Sequence, residues 1–284
     1  MSPPYHQRQV TLLRERLAEG PSFADCLSLL RTVRQTGLTY ADLVTEFGEW
    51  ALGHSRRKMG KEVWVVLEQL LCAQLETGNA VRAEELFQQL RRQFPGSRRV
   101  DRLGVLILEA RGCYREANAE IARLLEADPV DQMLLKRRYC ILKAQGDVTG
   151  AIKQLNEYLE VFMCDENAWK ELASLYISRQ FYKPAAFCVE ELILVHPENF
   201  HFYNKYAEVV FSQGKVDSYE TARHYYAYSY SLHPKGNARA LYGLIASCGA
   251  LCTAKGGRHN SPTNTKMLRF AARHLEKMYT LSNP

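Results

Sequence analysis

One helical hairpin can be read directly from Glu166–Asn199, ENAWKELASLYISRQFYKPAAFCVEELILVHPEN. Trp169 and Tyr176 are seven residues apart, which places them on one face of a first helix, and Ala185 begins the apolar stripe of a second. Pro197 lacks a backbone donor and disfavours helix at the residue before it, so the second helix should end there. The stretch predicts two short helices joined by a turn.

The same hairpin recurs with a period of 34 residues. The small residue at the contact between the two helices recurs as Ala83, Ala117, Ala151 and Ala185. The glycine of the turn recurs as Gly78, Gly112 and Gly146. A fifth copy begins near Phe200, with three extra residues predicted between its two helices. Period and pattern resemble the tetratricopeptide repeat, in which a hairpin buries its apolar face only against its neighbours. The sequence therefore predicts an all-α fold, a right-handed α-solenoid of about five tetratricopeptide helix pairs.

The residues on either side of the array do not follow the repeat. We predict N-terminal capping helices in residues 1–62, the tetratricopeptide-repeat array in 63–237 and C-terminal capping helices in 238–284. Caps are expected because the bare end of a solenoid would be an exposed apolar patch. Met267–Tyr279 fits this role, since its apolar residues share one face and its lysines and arginines lie elsewhere.

Composition and motifs argue against catalysis and against a membrane span. Eight cysteines contain no CxxC pair, which is typical of a reducing compartment, and no secretory signal opens the chain. The longest uncharged run, Ala240–Ala254, is shorter than the roughly 20 residues that cross a bilayer. The histidines have no metal-ligand spacing, and there is no phosphate loop or GxSxG. We therefore predict no catalytic residues, no metal, no cofactor and no enzyme activity.

Positive charge is concentrated in two parts of the chain. The net charge is +6, and Arg91–Lys143 contains twelve lysines and arginines against seven acidic residues. Cys252–Pro284 contains six against one. A solvated helix surface would explain such runs. The alternative is a surface that orients an acidic partner.

Repeat geometry suggests which of these residues face a partner. First helices should line the concave side of the solenoid, with positions 2, 5, 9 and 12 turned inward, and position 5 is basic in three successive repeats. The predicted partner-binding residues are Arg99, Arg102, Lys136, Lys143, Lys170 and Asn204, with Arg91, Arg92, Arg137 and Arg138 on adjoining rims. A clamp for a chaperone's C-terminal carboxylate also needs asparagine at position 9, where Leu106, Cys140 and Ser174 stand. We therefore expect an extended acidic or polar polypeptide segment as the ligand.

Three blocks of sequence carry a closer resemblance. They are LRRQFPGSRRV at 90–100, KRRYCILKAQGDVTGAIKQLNEYLE at 136–160 and DENAWKELASLYISRQFYKPAAFCVEELILVHPEN at 165–199. These blocks resemble subunit 2 of the endoplasmic reticulum membrane protein complex, and the likeness runs from about Trp64 to Gly243. The resemblance implies a soluble, non-catalytic scaffold at the cytosolic face of the endoplasmic reticulum. It would join cytosolic portions of the membrane-embedded subunits to another soluble subunit and so support energy-independent insertion of tail-anchored and multipass membrane proteins.

Two other classes of function stay open from the residues. A stand-alone tetratricopeptide adaptor would bind an acidic peptide through the same surface without the membrane complex. A helical-repeat RNA binder would suit a pI near 8.8, but the inward positions lack the recurring pairs of base-reading side chains that such repeats need. We therefore predict no nucleic-acid partner.

Overall fold

The structure, a computed structural model, describes residues 3–20, 22–37, 39–254 and 262–282. All secondary structure in these residues is helical, which confirms the predicted all-α class. The chain divides into two compact units, residues 1–141 and 142–284. Residues 255–261 of the predicted C-terminal cap lie outside the described residues, and the division into caps and array stays a prediction.

The first unit contains three helices before the repeats and the first two hairpins. Its elements are α1 (Pro3–Glu19), α2 (Phe23–Thr36), α3 (Ala41–Ser55), a 3-10 segment (Arg56–Glu62), α4 (Val63–Glu76), α5 (Ala80–Gln93), α6 (Arg98–Ala110) and α7 (Tyr114–Ala127). It ends within α8 (Gln132–Ala144). One apolar core joins α1 through α6, and its completely buried members include Leu29 in α2 and Leu70 in α4. The helices before the repeats therefore share the core of the first hairpin.

The second unit continues the series of hairpins and ends in two further helices. Its elements after α8 are α9 (Val148–Val161), α10 (Glu166–Ser178), α11 (Tyr182–Val195), α12 (Phe200–Phe211), α13 (Val216–Leu232), α14 (Ala238–Thr253) and α15 (Pro262–Ser282). Helix α11 ends directly before His196 and Pro197, as predicted. Ala271 and Leu275 of α15 pack into a core that also contains Leu241 and Leu244 of α14.

The alanines predicted at the helix contacts are completely buried. Ala83, Ala117, Ala151 and Ala185 have no exposed surface, and neither has Ala222 in the fifth hairpin. A side chain larger than a methyl group would push the two helices of a hairpin apart at these points. The 34-residue spacing of alanine was therefore a correct signal for close helix packing.

The turns of the hairpins share one backbone conformation. A positive φ, between 60° and 81°, occurs at Gly78, Gly112, Gly146, Gln180 and Gly214. In the fourth turn the N–H of Phe181 donates to the carbonyl of Tyr176 at 2.9 Å, and equivalent bonds close the first three. This Schellman arrangement needs a left-handed residue, for which glycine is best suited. Gln180 adopts the same conformation without being glycine.

The prediction for the fifth hairpin was wrong in one respect. The three extra residues were expected between its two helices, but α13 begins 34 residues after α11 and ends 37 residues after it. The insertion therefore lengthens α13 at its start, from the 14 residues of α11 to 17. Helical residues satisfy their own backbone hydrogen bonds, so extra residues are accommodated in a helix more readily than in a tight turn.

Candidate partner-binding surface

The predicted groove residues are distributed over both units and were expected to present free positive charge. In the first unit, Arg99 of α6 donates from Nε to Oε1 of Glu68 in α4 at 2.9 Å, and its Nη2 lies 2.8 Å from Oε2. Arg137 of α8 donates to Glu109 of α6 at 3.3 Å. The partners are 31 and 28 residues apart, which is close to one repeat. These cations therefore join neighbouring first helices to each other.

Arg102 forms an ion pair with a buried carboxylate. Its Nη2 lies 2.5 Å from Oδ2 of Asp131, whose side chain is only 4% exposed. The other carboxylate oxygen of Asp131 accepts from the backbone N–H groups of Met133 and Leu134, at 3.1 and 3.2 Å, and so caps α8. One buried carboxylate thus holds both a guanidinium of α6 and the start of α8. Arg102 has a structural role that its spacing did not reveal.

The remaining predicted cations of the first unit differ in accessibility. Lys136 and Arg137 are half-buried, whereas Arg138 is exposed. Arg91 and Arg92 are exposed in the last turn of α5, where positive charge is favourable beside the helix C-terminus. Arg138, Arg91 and Arg92 are therefore the cations of this group most open to an approaching molecule.

In the second unit the two predicted lysines also form ion pairs. Lys143 pairs with Glu171 of α10, and Lys170 pairs with Glu166 one helical turn away. Lys170 Nζ also lies 5.4 Å from the centre of the Phe202 ring. Hydrogen bonds from Lys170 and then from His196, whose Nε2 is 2.9 Å from Glu166, lower the pKa of the Glu166 carboxyl. Lys170 is therefore part of a contact between α10 and the elements that follow it.

The expectation that Asn204 faces a partner was wrong. Its side chain is buried, with 1% of the residue exposed, and its amide donates to Oδ1 of Asn237 at 2.9 Å. Asn237 accepts from the N–H of Ala240 at the start of α14 and donates to the carbonyl of Ser229. A buried polar side chain needs such partners, because it has lost its contact with water. Asn204 therefore links α12 to α14 inside the second unit.

A cleft lies between two helices of the predicted N-terminal cap and the first helix of the predicted array. In the first unit a cleft of about 320 Å³ opens between α2, α3 and α4. Its apolar walls include Val33, Val44, Ala73 and Val65, which is 40% exposed. Charged side chains also line it, namely Arg34, Glu68, Glu76 and Arg99. An apolar floor with polar groups around it is the usual form of a site that receives an apolar side chain of another molecule.

The thiol in this cleft is not set up for chemistry. Cys72 is half-buried, and burial raises the pKa of its thiol, with Glu68 and Glu76 adding to the effect. The thiol form is a poor nucleophile, whereas the thiolate reacts and binds metals. Cys72 therefore contributes to the cleft as a small apolar side chain.

The missed pairings leave a signal that sequence analysis could use. Glu68 and Arg99, Glu109 and Arg137, Lys143 and Glu171, and Glu208 and Arg239 are opposite charges separated by 28 to 31 residues. In a 34-residue repeat, this separation brings the side chains of successive first helices into reach. Opposite charges at that separation therefore predict ion pairs between successive first helices.

Comparison with known proteins gives this geometry a family context. The family model described as the EMC2 TPR-like repeat domain matches residues 90–222. The chain is 38% identical over 262 residues to ER membrane protein complex subunit 2-A of Xenopus laevis, covering 92% of this chain and 88% of that protein. The chain belongs to the ER membrane protein complex subunit 2 family. Subunit 2 of Dictyostelium discoideum is 33% identical over 258 residues, covering 87% of this chain and 80% of the relative.

A solved structure supports the fold of this subunit 2 family member. The C-terminal part of a TPR repeat-containing protein from Cytophaga hutchinsonii superposes with a TM-score of 0.59, over 84% of this chain and 94% of that chain. The identity is 13%, so the likeness concerns the fold alone. Together with the family match, it confirms the predicted tetratricopeptide arrangement of helix pairs. The matched residues 90–222 include the ion pairs of Arg102 with Asp131 and of Lys143 with Glu171, whereas α2, α3 and α4 precede them.

Within the described ranges, no helix of this family member combines the length with the apolar character that crossing a bilayer demands.

Proposed function

We propose that this chain is a non-catalytic scaffold subunit of the ER membrane protein complex, positioned at the cytosolic face of the endoplasmic reticulum membrane. It would hold cytosolic segments of the membrane-embedded subunits and contact a further soluble subunit. In this way it would support energy-independent insertion of tail-anchored and multipass membrane proteins. Membership of the subunit 2 family, together with a fold made of helical hairpins, supports this proposal.

The cleft between α2, α3 and α4 is the observation that carries the proposal. A scaffold needs a surface that fixes a partner segment, and here an exposed valine, Val65, stands among other apolar walls. Interfaces are strongest where an apolar side chain enters such a pocket and charged groups surround it. The proposed occupant is an apolar side chain from the cytosolic segment of another subunit.

The charged residues have two different roles in this proposal. Arg99, with a side chain that is 71% exposed, lines the cleft and can exchange its bond to Glu68 for one to an acidic group of the partner. Arg91, Arg92 and Arg138 offer further exposed positive charge in the same unit. The ion pairs of Arg102, Arg137 and Lys143 instead join neighbouring helices. Lys170 pairs within α10 and contacts α12 through Phe202, and Lys136 lies on α8 beside Arg137.

The experiment compares two valine substitutions in the tagged, full-length chain. Val65→Glu places a charge in the cleft, whereas Val81→Glu places one on α5 at a position that is 72% exposed and does not line the cleft. Each variant is expressed in cells that lack the endogenous subunit, and the proteins that co-purify from a detergent extract are quantified by mass spectrometry. We expect Val65→Glu to lose membrane-embedded subunits and Val81→Glu to retain them, with equal helicity by circular dichroism.

Two outcomes would contradict the proposal at different levels. Normal recovery of membrane subunits with Val65→Glu would show that the cleft is not the binding site. Absence of integral membrane proteins from the wild-type purification would refute the scaffold function. In that case binding of an acidic peptide would identify the chain as a stand-alone tetratricopeptide adaptor.

A further inference from the structure

The last helix, α15, carries a row of positive charge that the proposed partner contacts do not use. Its exposed basic residues are Lys266, Arg269, Arg273 and Lys277. The opposite side of the helix is packed, because Ala271 is completely buried and Leu275 is 7% exposed. We call the four basic residues the α15 ridge.

The ridge is straight and points away from the body of the second unit. Successive residues of an α-helix are rotated by about 100°, so the four basic positions fall within an arc of roughly 80° on the side opposite Ala271 and Leu275. From Lys266 to Lys277 the ridge extends about 16 Å, at about 1.5 Å per residue. Its charges therefore form one line along the crest of a helix.

The charges of the ridge are not neutralised by neighbouring acids. Among the described residues, no carboxylate lies within ion-pair distance of these four side chains. Glu276 is the one acidic residue of α15, and it too forms no ion pair within the described part of the chain. His274 packs its ring against Phe270 and Tyr230.

Repulsion along the ridge favours binding of something negatively charged. Arg269 and Arg273 are four residues apart, as are Arg273 and Lys277, and like charges at this spacing destabilise a helix. An anionic surface that approaches the crest would remove this repulsion and gain attraction to all four residues. The arrangement would be unfavourable for a helix that only caps a repeat array.

The shape of the ridge indicates which anion it fits. An acidic peptide is usually held in a groove or along a sheet edge, with walls that select its side chains. The crest of a helix can instead lie along a plane over its whole length, and the surface charge of an anionic leaflet attracts lysines and arginines held close to it. Phe270 borders the ridge, one turn from Lys266, and is 43% exposed, so an aromatic ring is available at the depth of the lipid headgroups.

We infer that the α15 ridge docks the second unit on the surface of an anionic phospholipid bilayer. Each lysine or arginine close to such a surface increases partitioning by about fivefold, so four of them give an orienting contact rather than a permanent anchor. Docking of this kind does not depend on the ER membrane protein complex. It concerns the isolated chain as well.

The test is flotation of the full-length protein with vesicles, at low and at high salt. Vesicles contain phosphatidylcholine alone or phosphatidylcholine with phosphatidylserine. The wild-type protein should float only with the phosphatidylserine vesicles, and salt should release it. The double variant K266E/K277E should lower the partition coefficient by about 30-fold or more, since two favourable charges are reversed.

The matched control is K183E/K215E. Both lysines are exposed in the second unit, and the change in net charge is the same. We expect this variant to bind anionic vesicles like the wild type, and both variants should retain wild-type helicity. An equal loss in the two variants would reduce the effect to net charge and overturn the inference.

Two further outcomes would also overturn it. Failure of the wild-type protein to float with anionic vesicles at low salt would exclude the bilayer surface. Capture of a poly-glutamate peptide by the wild type but not by K266E/K277E, without vesicle binding, would assign the ridge to an acidic polypeptide. Because co-purification of membrane subunits is measured separately with Val65→Glu, failure here would leave the scaffold proposal untouched.

Discussion

Asp131 combines two stabilising roles, and their sum can be measured. Its carboxylate caps α8 through two backbone N–H groups and pairs with Arg102 at 2.5 Å while 4% exposed. Loss of an N-cap costs about 1 kcal/mol, and a hydrogen bond to a charged group contributes about 1.5–3 kcal/mol. Asp131→Ala should therefore lower the free energy of unfolding by about 3 kcal/mol. The half-exposed Arg102 can regain some water, which keeps the loss below that of a fully buried pair.

A nearby aspartate provides the control for this experiment. Asp128 lies 3.6 Å from Arg98, with side chains that are 32% and 56% exposed. An exposed pair of this kind contributes about 0–1 kcal/mol, so Asp128→Ala should have a small effect. Asp131→Asn separates the two roles, because asparagine is as good an N-cap as aspartate but carries no charge. Its loss should fall between those of the two alanine variants, at about 1–2 kcal/mol.

The assay is urea unfolding followed by tryptophan fluorescence. In a Trp169→Phe background the remaining tryptophans, Trp50 and Trp64, both lie in the first unit, so the signal reports on the unit that contains the Asp131 contacts. Equal destabilisation by Asp131→Ala and Asp128→Ala would refute the distinction between the buried and the exposed pair. Equal losses for Asp131→Asn and Asp131→Ala would instead assign the entire effect to charge and none to the helix cap.

Two further predictions concern backbone and packing. Gln180 has a φ of 60° at a position that is glycine in other hairpins, so Gln180→Gly should raise the free energy of unfolding by about 0.5–1 kcal/mol. A urea titration measures this change, and a loss of stability would contradict the prediction. Gly243→Ala should destabilise the protein by at least about 1–3 kcal/mol, because a Cβ there would lie 2.3 Å from the ring of Tyr226. Gly249 in the same helix is the control, because a Cβ there would have no neighbouring atom within 4 Å. Gly249→Ala should therefore stabilise the protein by about 1 kcal/mol. Thermal melting compares the two variants, and equal melting temperatures would argue against tight packing at Gly243.

The behaviour of the basic residues shows why charge counts alone mislead. At least seven of the twelve lysines and arginines in residues 91–143 lie within ion-pair distance of an acidic residue. Most of those acidic residues lie in a neighbouring repeat, about 30 residues away in sequence, so the net charge of a segment does not show the pairing. Placing a carboxylate between helices removes it from water, and at Glu109 this burial raises the pKa of the carboxyl although Arg137 lies beside it. The basic residues that were expected to face a partner therefore form, in large part, contacts within the protein.

Many basic residues are paired inside the array of hairpins, and those at its end are exposed. Where one first helix stacks on the next, opposite charges meet, as in Glu68 and Arg99. On α15 no further described helix follows, and the basic residues stay exposed. Positive charge therefore remains available at the end of the described array, and apolar surface remains available in the cleft beside α4.

The sequence by itself determined the helical class, the hairpin period and the positions of tight packing, because these depend on local spacing. Ala83 and its equivalents had to be small, and Pro197 had to end a helix, whatever lay around them. The direction of Asn204, the pairing of Arg102 with Asp131, the longer α13 and the cleft between α2 and α4 were decided only by the tertiary structure. These features depend on which side chains come into contact when helices from different parts of the chain pack together. A repeat pattern determines how closely the backbones approach, but it does not determine which side chains then meet.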